Sequence, residues 1–203
     1  MNTFIKLLFG NLVLKKGPQD LPASTTLMKL SLLAYLVSGL PGLLVSVDSA
    51  QAVLAQALDV LVLLLFVYLC LQLFVKLERY TQTIIALASI GSLFQLAVLP
   101  ILFQFKGVEE ASQVMLGMSL LLLALVSWNL TVIAHIFRES FSVRLPAAIA
   151  LTISYMFITL SARKFFFPEL AELKPEYRFA YSYIGYLWHF YGWCCRVGAT
   201  GRA

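Results

Sequence analysis

The chain has 203 residues, of which 61% are hydrophobic and only 12% charged, with a mean hydropathy of +0.87. An ordinary soluble domain is about 45–50% apolar and about 25% charged, so this composition excludes a disordered tail or a disulfide scaffold and argues against a soluble enzyme. The 15 Lys and Arg against 10 Asp and Glu give a net charge of +5, but the basic residues lie in short gaps between apolar runs. That pattern belongs to a membrane protein, not to a nucleic-acid binder.

The chain opens on an arm, residues 1–26, in which Phe4, Leu7, Leu8 and Leu12 recur at helical spacing with Lys6, Lys15 and Lys16 beside them. The spacing predicts an amphipathic helix on the inner leaflet. Lys6 within the apolar stretch, and the absence of a small-residue cleavage site after it, argue against a signal peptide. Gly17-Pro18-Gln19-Asp20-Leu21-Pro22-Ala23-Ser24 then stops that helix, and Asp20 or Ser24 is expected to cap the next. Gln19 and Asp20, polar groups on a stiff turn, are the candidate partner contact.

A helix needs about 20 mostly apolar residues to cross a hydrocarbon core of about 30 Å. Five runs qualify, at 27–47, 53–75, 82–103, 113–137 and 145–162, and in lipid each must satisfy its own backbone groups as a helix. The region 27–163 is therefore the predicted transmembrane bundle. In the first run, Gly39, Pro41 and Gly42 predict a bend and a close neighbour. In the second, Asp59 is the one acid within a span, and such groups suggest function by default. A position in the second turn, near the outer interface and with no basic partner at matching depth, weakens that case. In the third, Ser89, Ser92 and Gln95 form a polar strip. In the fourth, Ser127, Thr131, His135 and Glu139 recur every four residues and mark a polar stripe, on which His135 and Glu139 can pair. Ala88/Ser92 and Ala150/Ser154 are expected to be internal seams.

The tail, 164–203, carries Tyr181, Tyr183, Tyr186, Trp188, Tyr191 and Trp193. Aromatics of this kind favour the headgroup region, so an interfacial helix is expected there, with a short sixth span as the alternative. Cys194 and Cys195 read as apolar fillers or as a lipidation site. Lys and Arg in the gaps put the N-terminus on the cytoplasmic side. Arg163, Lys164, Lys174 and Arg178 conflict with that rule, because they then fall outside.

The predicted fold class is an all-α integral membrane protein: five transmembrane helices, an N-terminal amphipathic surface helix and an aromatic C-terminal interfacial helix. No glycine-rich phosphate loop, paired catalytic carboxylates or nucleophile with a positioned base is present. Enzyme activity, cofactor, metal site and nucleic-acid partner are accordingly not expected. The five closely spaced spans, the Gly17–Ser24 turn and the stretch Trp128–Arg138 (W-N-L-T-V-I-A-H-I-F-R) resemble the Yip1-type membrane proteins, particularly their small bacterial members. The resemblance covers about residues 1–163 and implies a membrane adaptor that acts by binding partners. The expected function is a scaffold, assembly factor or accessory subunit of a larger complex in the bacterial cytoplasmic membrane, with other membrane proteins or further copies of the chain as partners. The alternative is a small transporter or channel using Asp59 and the Ser127/Thr131/His135/Glu139 stripe, and a third reading is an intramembrane enzyme or haem protein using His135 or His189.

Overall fold

A computed structural model describes residues 2–44, 48–105 and 113–167. These residues form six α-helices and no strand: α1 (Asn2–Leu12), α2 (Thr25–Leu44), α3 (Ser49–Leu73), α4 (Tyr80–Phe105), α5 (Gln113–Phe141) and α6 (Leu145–Phe166). Two short 3-10 turns, Pro18–Asp20 and Leu77–Arg79, complete the described elements. Among the described residues, five helices are long and apolar enough to cross a membrane, and each overlaps one of the five runs read from the sequence. The tail helix, its aromatic residues and Cys194–Cys195 lie outside the described residues.

Local chemistry sets the element ends. Ser24 caps α2, its hydroxyl accepting from the Leu27 N–H at 3.4 Å. Of the two expected caps Asp20 is otherwise engaged, its carboxylate accepting from the Gly17 N–H at 3.2 Å and closing the proline turn on itself. Helices α1, α3 and α5 each end on a residue with positive φ, at Leu14, Val75 and Ser142. Beyond each, an N–H reaches back five residues: Lys15 to Gly10 at 2.8 Å, Lys76 to Leu71 at 2.8 Å, and Val143 to Arg138 at 3.2 Å. This is the wrapped helix end that usually takes glycine.

The centre of the bundle is α4. Its span is 56% buried, against 17% for α2 and for α6, so these two are outer helices, α2 packed on α4 and α6 on α5 and α3. The α2–α4 packing is the most extensive in the fold, and small residues make it possible. A side chain at Gly91 of α4 would collide with the Tyr35 ring of α2, and one at Gly39 of α2 with the Gln56 carboxamide of α3. The outward faces carry Leu30, Leu33, Val37, Leu61, Leu65, Ile153 and Phe157, an apolar surface suited to hydrocarbon. The expected seam at Ala88/Ser92 is internal, whereas Ala150 and Ser154 are exposed. In α6 the buried face is instead Ala148, Thr152 and Tyr155.

The two ends of the bundle differ. At the end bearing α1, polar bonds cross between elements. The Arg79 guanidinium donates to the Glu139 carbonyl at 3.0 Å and to the Ser142 hydroxyl at 3.1 Å, a cation on the last carbonyls of α5. Lys76 donates to Ser142 at 2.9 Å, and Thr83 to Ser140 at 2.9 Å. Gln82 donates to the Gln19 and Leu21 carbonyls at 3.2 and 2.8 Å. Leu7, Leu8, Leu12 and Leu14 pack on the main core, so α1 and its turn are docked against the bundle. Above this end an aromatic column runs through Phe74, Phe141, Phe137, Phe66 and Tyr155, with successive ring centroids 5.2–5.7 Å apart. Beyond Tyr155 the interior is no longer filled.

Candidate functional site

Asp59 is at the heart of that unfilled region. Because α3 starts at Ser49 and not near Val53, Asp59 lies about 15 Å along the helix at 1.5 Å rise per residue, deeper than the second turn expected. Its side chain is 3% exposed. A bare carboxylate there would be costly, and it has the partner that the spans alone did not provide. Arg163, one residue beyond the predicted fifth run, is the last basic group of α6 but one. Its guanidinium turns inward and makes a two-pronged ion pair, Nε to one Asp59 oxygen at 2.7 Å and the terminal nitrogen to the other. The paired geometry is the strong form of this interaction.

Around the pair is a cavity of about 310 Å³ between α2, α3, α4, α5 and α6. One wall is polar. The Gln56 amide donates to the Tyr35 carbonyl at 3.1 Å, and the Ser38 hydroxyl to the Gln95 side-chain carbonyl at 2.6 Å. On α6 the Thr159 hydroxyl donates to the Tyr155 backbone carbonyl at 3.0 Å, and both residues line the cavity. Asn129 also lines the cavity, and its buried side-chain carbonyl has no hydrogen-bond partner among the described residues. Much of the remaining lining is aliphatic, with Leu63, Leu99, Leu122, Leu125 and Leu160 among its residues. A volume of this size is at the lower end of small-molecule sites, which combine apolar walls with a few convergent polar groups.

The other sequence candidates are elsewhere. His135 does not pair with Glu139: its Nε2 is 3.0 Å from the Lys16 carbonyl, and since a carbonyl only accepts, this nitrogen carries the proton. The Glu139 carboxylate instead accepts from Arg138, at 3.0 and 2.8 Å. Ser127 and Thr131 are exposed, and Thr131 bonds back to the Ser127 carbonyl at 2.9 Å. The stripe therefore runs outside the cavity and onto the docked arm, and the structure does not bring it to Asp59. Gln19 and Asp20 are exposed on the turn, away from the cavity. Among the described residues no cluster of three or more His, Cys, Asp or Glu could hold a metal.

Sequence reasoning missed Tyr35, Gln56, Asn129, Tyr155 and Arg163. A signal existed on α6, where Tyr155, Thr159 and Arg163 recur every four residues and so share one face. Gln56 and Asp59, three apart on α3, share one likewise. The misplaced positive charge of Arg163 was a second signal, since a paired arginine is not a free topological charge.

Fold and site together define a polytopic, all-helical chain compatible with an integral membrane protein, with a charged pair inside its bundle. No family model, curated protein or solved structure matches it.

Proposed function

We propose that the chain is a non-enzymatic, multi-pass protein of the bacterial cytoplasmic membrane, with its N-terminus cytoplasmic, that binds a small solute inside its helical bundle and passes it toward or across the membrane. The observation that carries this reading is the Asp59–Arg163 pair on the wall of the cavity. A purely structural bundle has little use for two intramembrane charges, since well-packed apolar residues would do as well or better. Hydrogen bonding at the arm-bearing end and the aromatic column above it leave the opposite half as the working half.

Gly42 offers the test. It lines the cavity, and a Cβ there meets only Leu102 and Leu99 at ordinary contact distances of 3.7 and 3.9 Å. Gly42→Phe adds bulk at the cavity wall with little backbone strain. In proteoliposomes and lipid nanodiscs, a panel of small solutes is expected to yield one that wild type binds or moves and Gly42→Phe does not. Equal performance by the two proteins would remove the interior-site reading.

A scaffold or accessory-subunit role, the one the Yip1-type resemblance implies, is the second reading. The exposed Gln19 side chain on a docked turn favours it. It predicts a defined set of proteins that co-purify in native lipid and are lost in Gln19→Arg. An unchanged set in the variant would remove the turn as the contact.

A further inference from the structure

We propose that the cavity takes an amphipathic cation, a protonated amine on an apolar body, which exchanges with the Arg163 guanidinium on Asp59. The inference rests on the solute-binding reading above and gives it a ligand class.

The wall is unequal in its chemistry. Among the described residues, Asp59 and Arg163 are the only Asp, Glu, Lys, Arg or His lining the cavity, but they are held differently. The Asp59 side chain is 3% exposed and the Arg163 side chain 26%. A carboxylate on a two-torsion stem in the middle of α3 has nowhere to go. Arginine has a long flexible stem and sits near the end of α6, about 5 Å from its last residue, so it can swing outward to water while its carbons stay on apolar surface. The fixed charge of the cavity is therefore negative, and the movable charge is the cation already bound to it.

The remaining polar groups point the same way. The Asn129 carbonyl oxygen is buried and accepts nothing among the described residues, so it asks for a donor, which a protonated amine supplies and a carboxylate does not. The Tyr35 and Tyr155 rings line the same space, and aromatic faces attract organic cations, most strongly where water is excluded. The leucine-rich wall fits an aryl or alkyl body. In this account Arg163 occupies the cation position until a ligand replaces it. The exchange leaves neither charge bare, since Asp59 keeps a cation and Arg163 gains water.

The test compares three probes of one shape, 2-phenylethylammonium, 3-phenylpropionate and 2-phenylethanol, on the full chain in lipid nanodiscs by titration calorimetry. Partition into empty discs is subtracted. The amine is expected to bind at least tenfold more tightly than the other two. Arg163→Gln, which removes the competing cation, should tighten amine binding at least tenfold, and Asp59→Asn should abolish it. The double variant Asp59→Asn/Arg163→Gln leaves no bare charge and serves as the folding control: it should elute as wild type does and fail to bind the amine. Preference for the phenylpropionate, lost in Arg163→Gln, would overturn the proposal in favour of an anion site. Equal binding of all three probes, unchanged in Asp59→Asn, would overturn it in favour of an apolar cavity. In either of those cases the solute-binding reading survives. Binding of none of the three overturns the cation proposal, and that reading falls with it where the wider solute panel also finds no difference between wild type and Gly42→Phe.

Discussion

A guanidinium near the end of an apolar helix has two places to go, outward to water or inward to a carboxylate. Arg163 goes inward because Asp59 is already buried and two-pronged pairing satisfies both groups. Tyr35 is held by a different device, the missing side chain of Gly91. A Cβ there would come within 2.6 Å of the ring, so Gly91→Val should push Tyr35 toward the cavity and cost about 1–3 kcal/mol of stability. Removing the obstructing ring in Gly91→Val/Tyr35→Ala should recover part of the loss in thermal unfolding. An additive loss would mean the two residues do not touch. Val75 shows strain of another kind. It is 88% exposed and has φ of 55°, a conformation that costs a side chain about 1–2 kcal/mol and glycine almost nothing. Val75→Gly should therefore raise the unfolding midpoint despite the extra freedom it gives the unfolded chain, with a net gain of about 0.5–1 kcal/mol. A midpoint that falls would show that the helix end is not wrapped as described.

At the scale of elements, α1 and its turn are docked by few bonds, chiefly Gln82 to two carbonyls and His135 to a third. Each such bond is worth about 0.5–1.5 kcal/mol net. His135→Ala with Gln82→Ala should speed amide exchange in residues 11–21 about tenfold or more and leave α3 and α6 protected. Exchange that rises equally across the bundle would mean the arm is not a separate unit. The same elements show what could be read from the sequence. The five long helices were legible because run length and hydropathy are local quantities, as was the cap at Ser24. The facing of polar stripes was not. Ser127 and Thr131 recur at helical spacing just as Tyr155 and Thr159 do, yet the first pair faces outward and the second inward. Periodicity names a face of a helix; only the neighbours say which way it turns. Asp59 was visible as an intramembrane acid, but its partner is 104 positions away in the chain, and no local pattern encodes that meeting.

At the scale of the molecule, the polar bonds that tie the arm and the turns are at the end opposite the vacancy in the packing. The arm-bearing end is tied by Arg79, Lys76, Thr83 and Gln82, whereas the far half holds the cavity and the ion pair. The measurement that tests this account most directly is a double-mutant cycle on thermal unfolding in lipid, with Asp59→Asn, Arg163→Gln and the two combined. Arg163→Gln leaves the Asp59 carboxylate bare in the interior and should cost about 3 kcal/mol, whereas Asp59→Asn lets the Arg163 guanidinium turn outward and should cost less. The combined change strands none, so the double variant should come back to within about 1 kcal/mol of wild type, with a coupling well above the ~0.5 kcal/mol of independent sites. Single losses that simply add would mean that Asp59 and Arg163 never meet, and the cavity would lose the charge on which its function is argued.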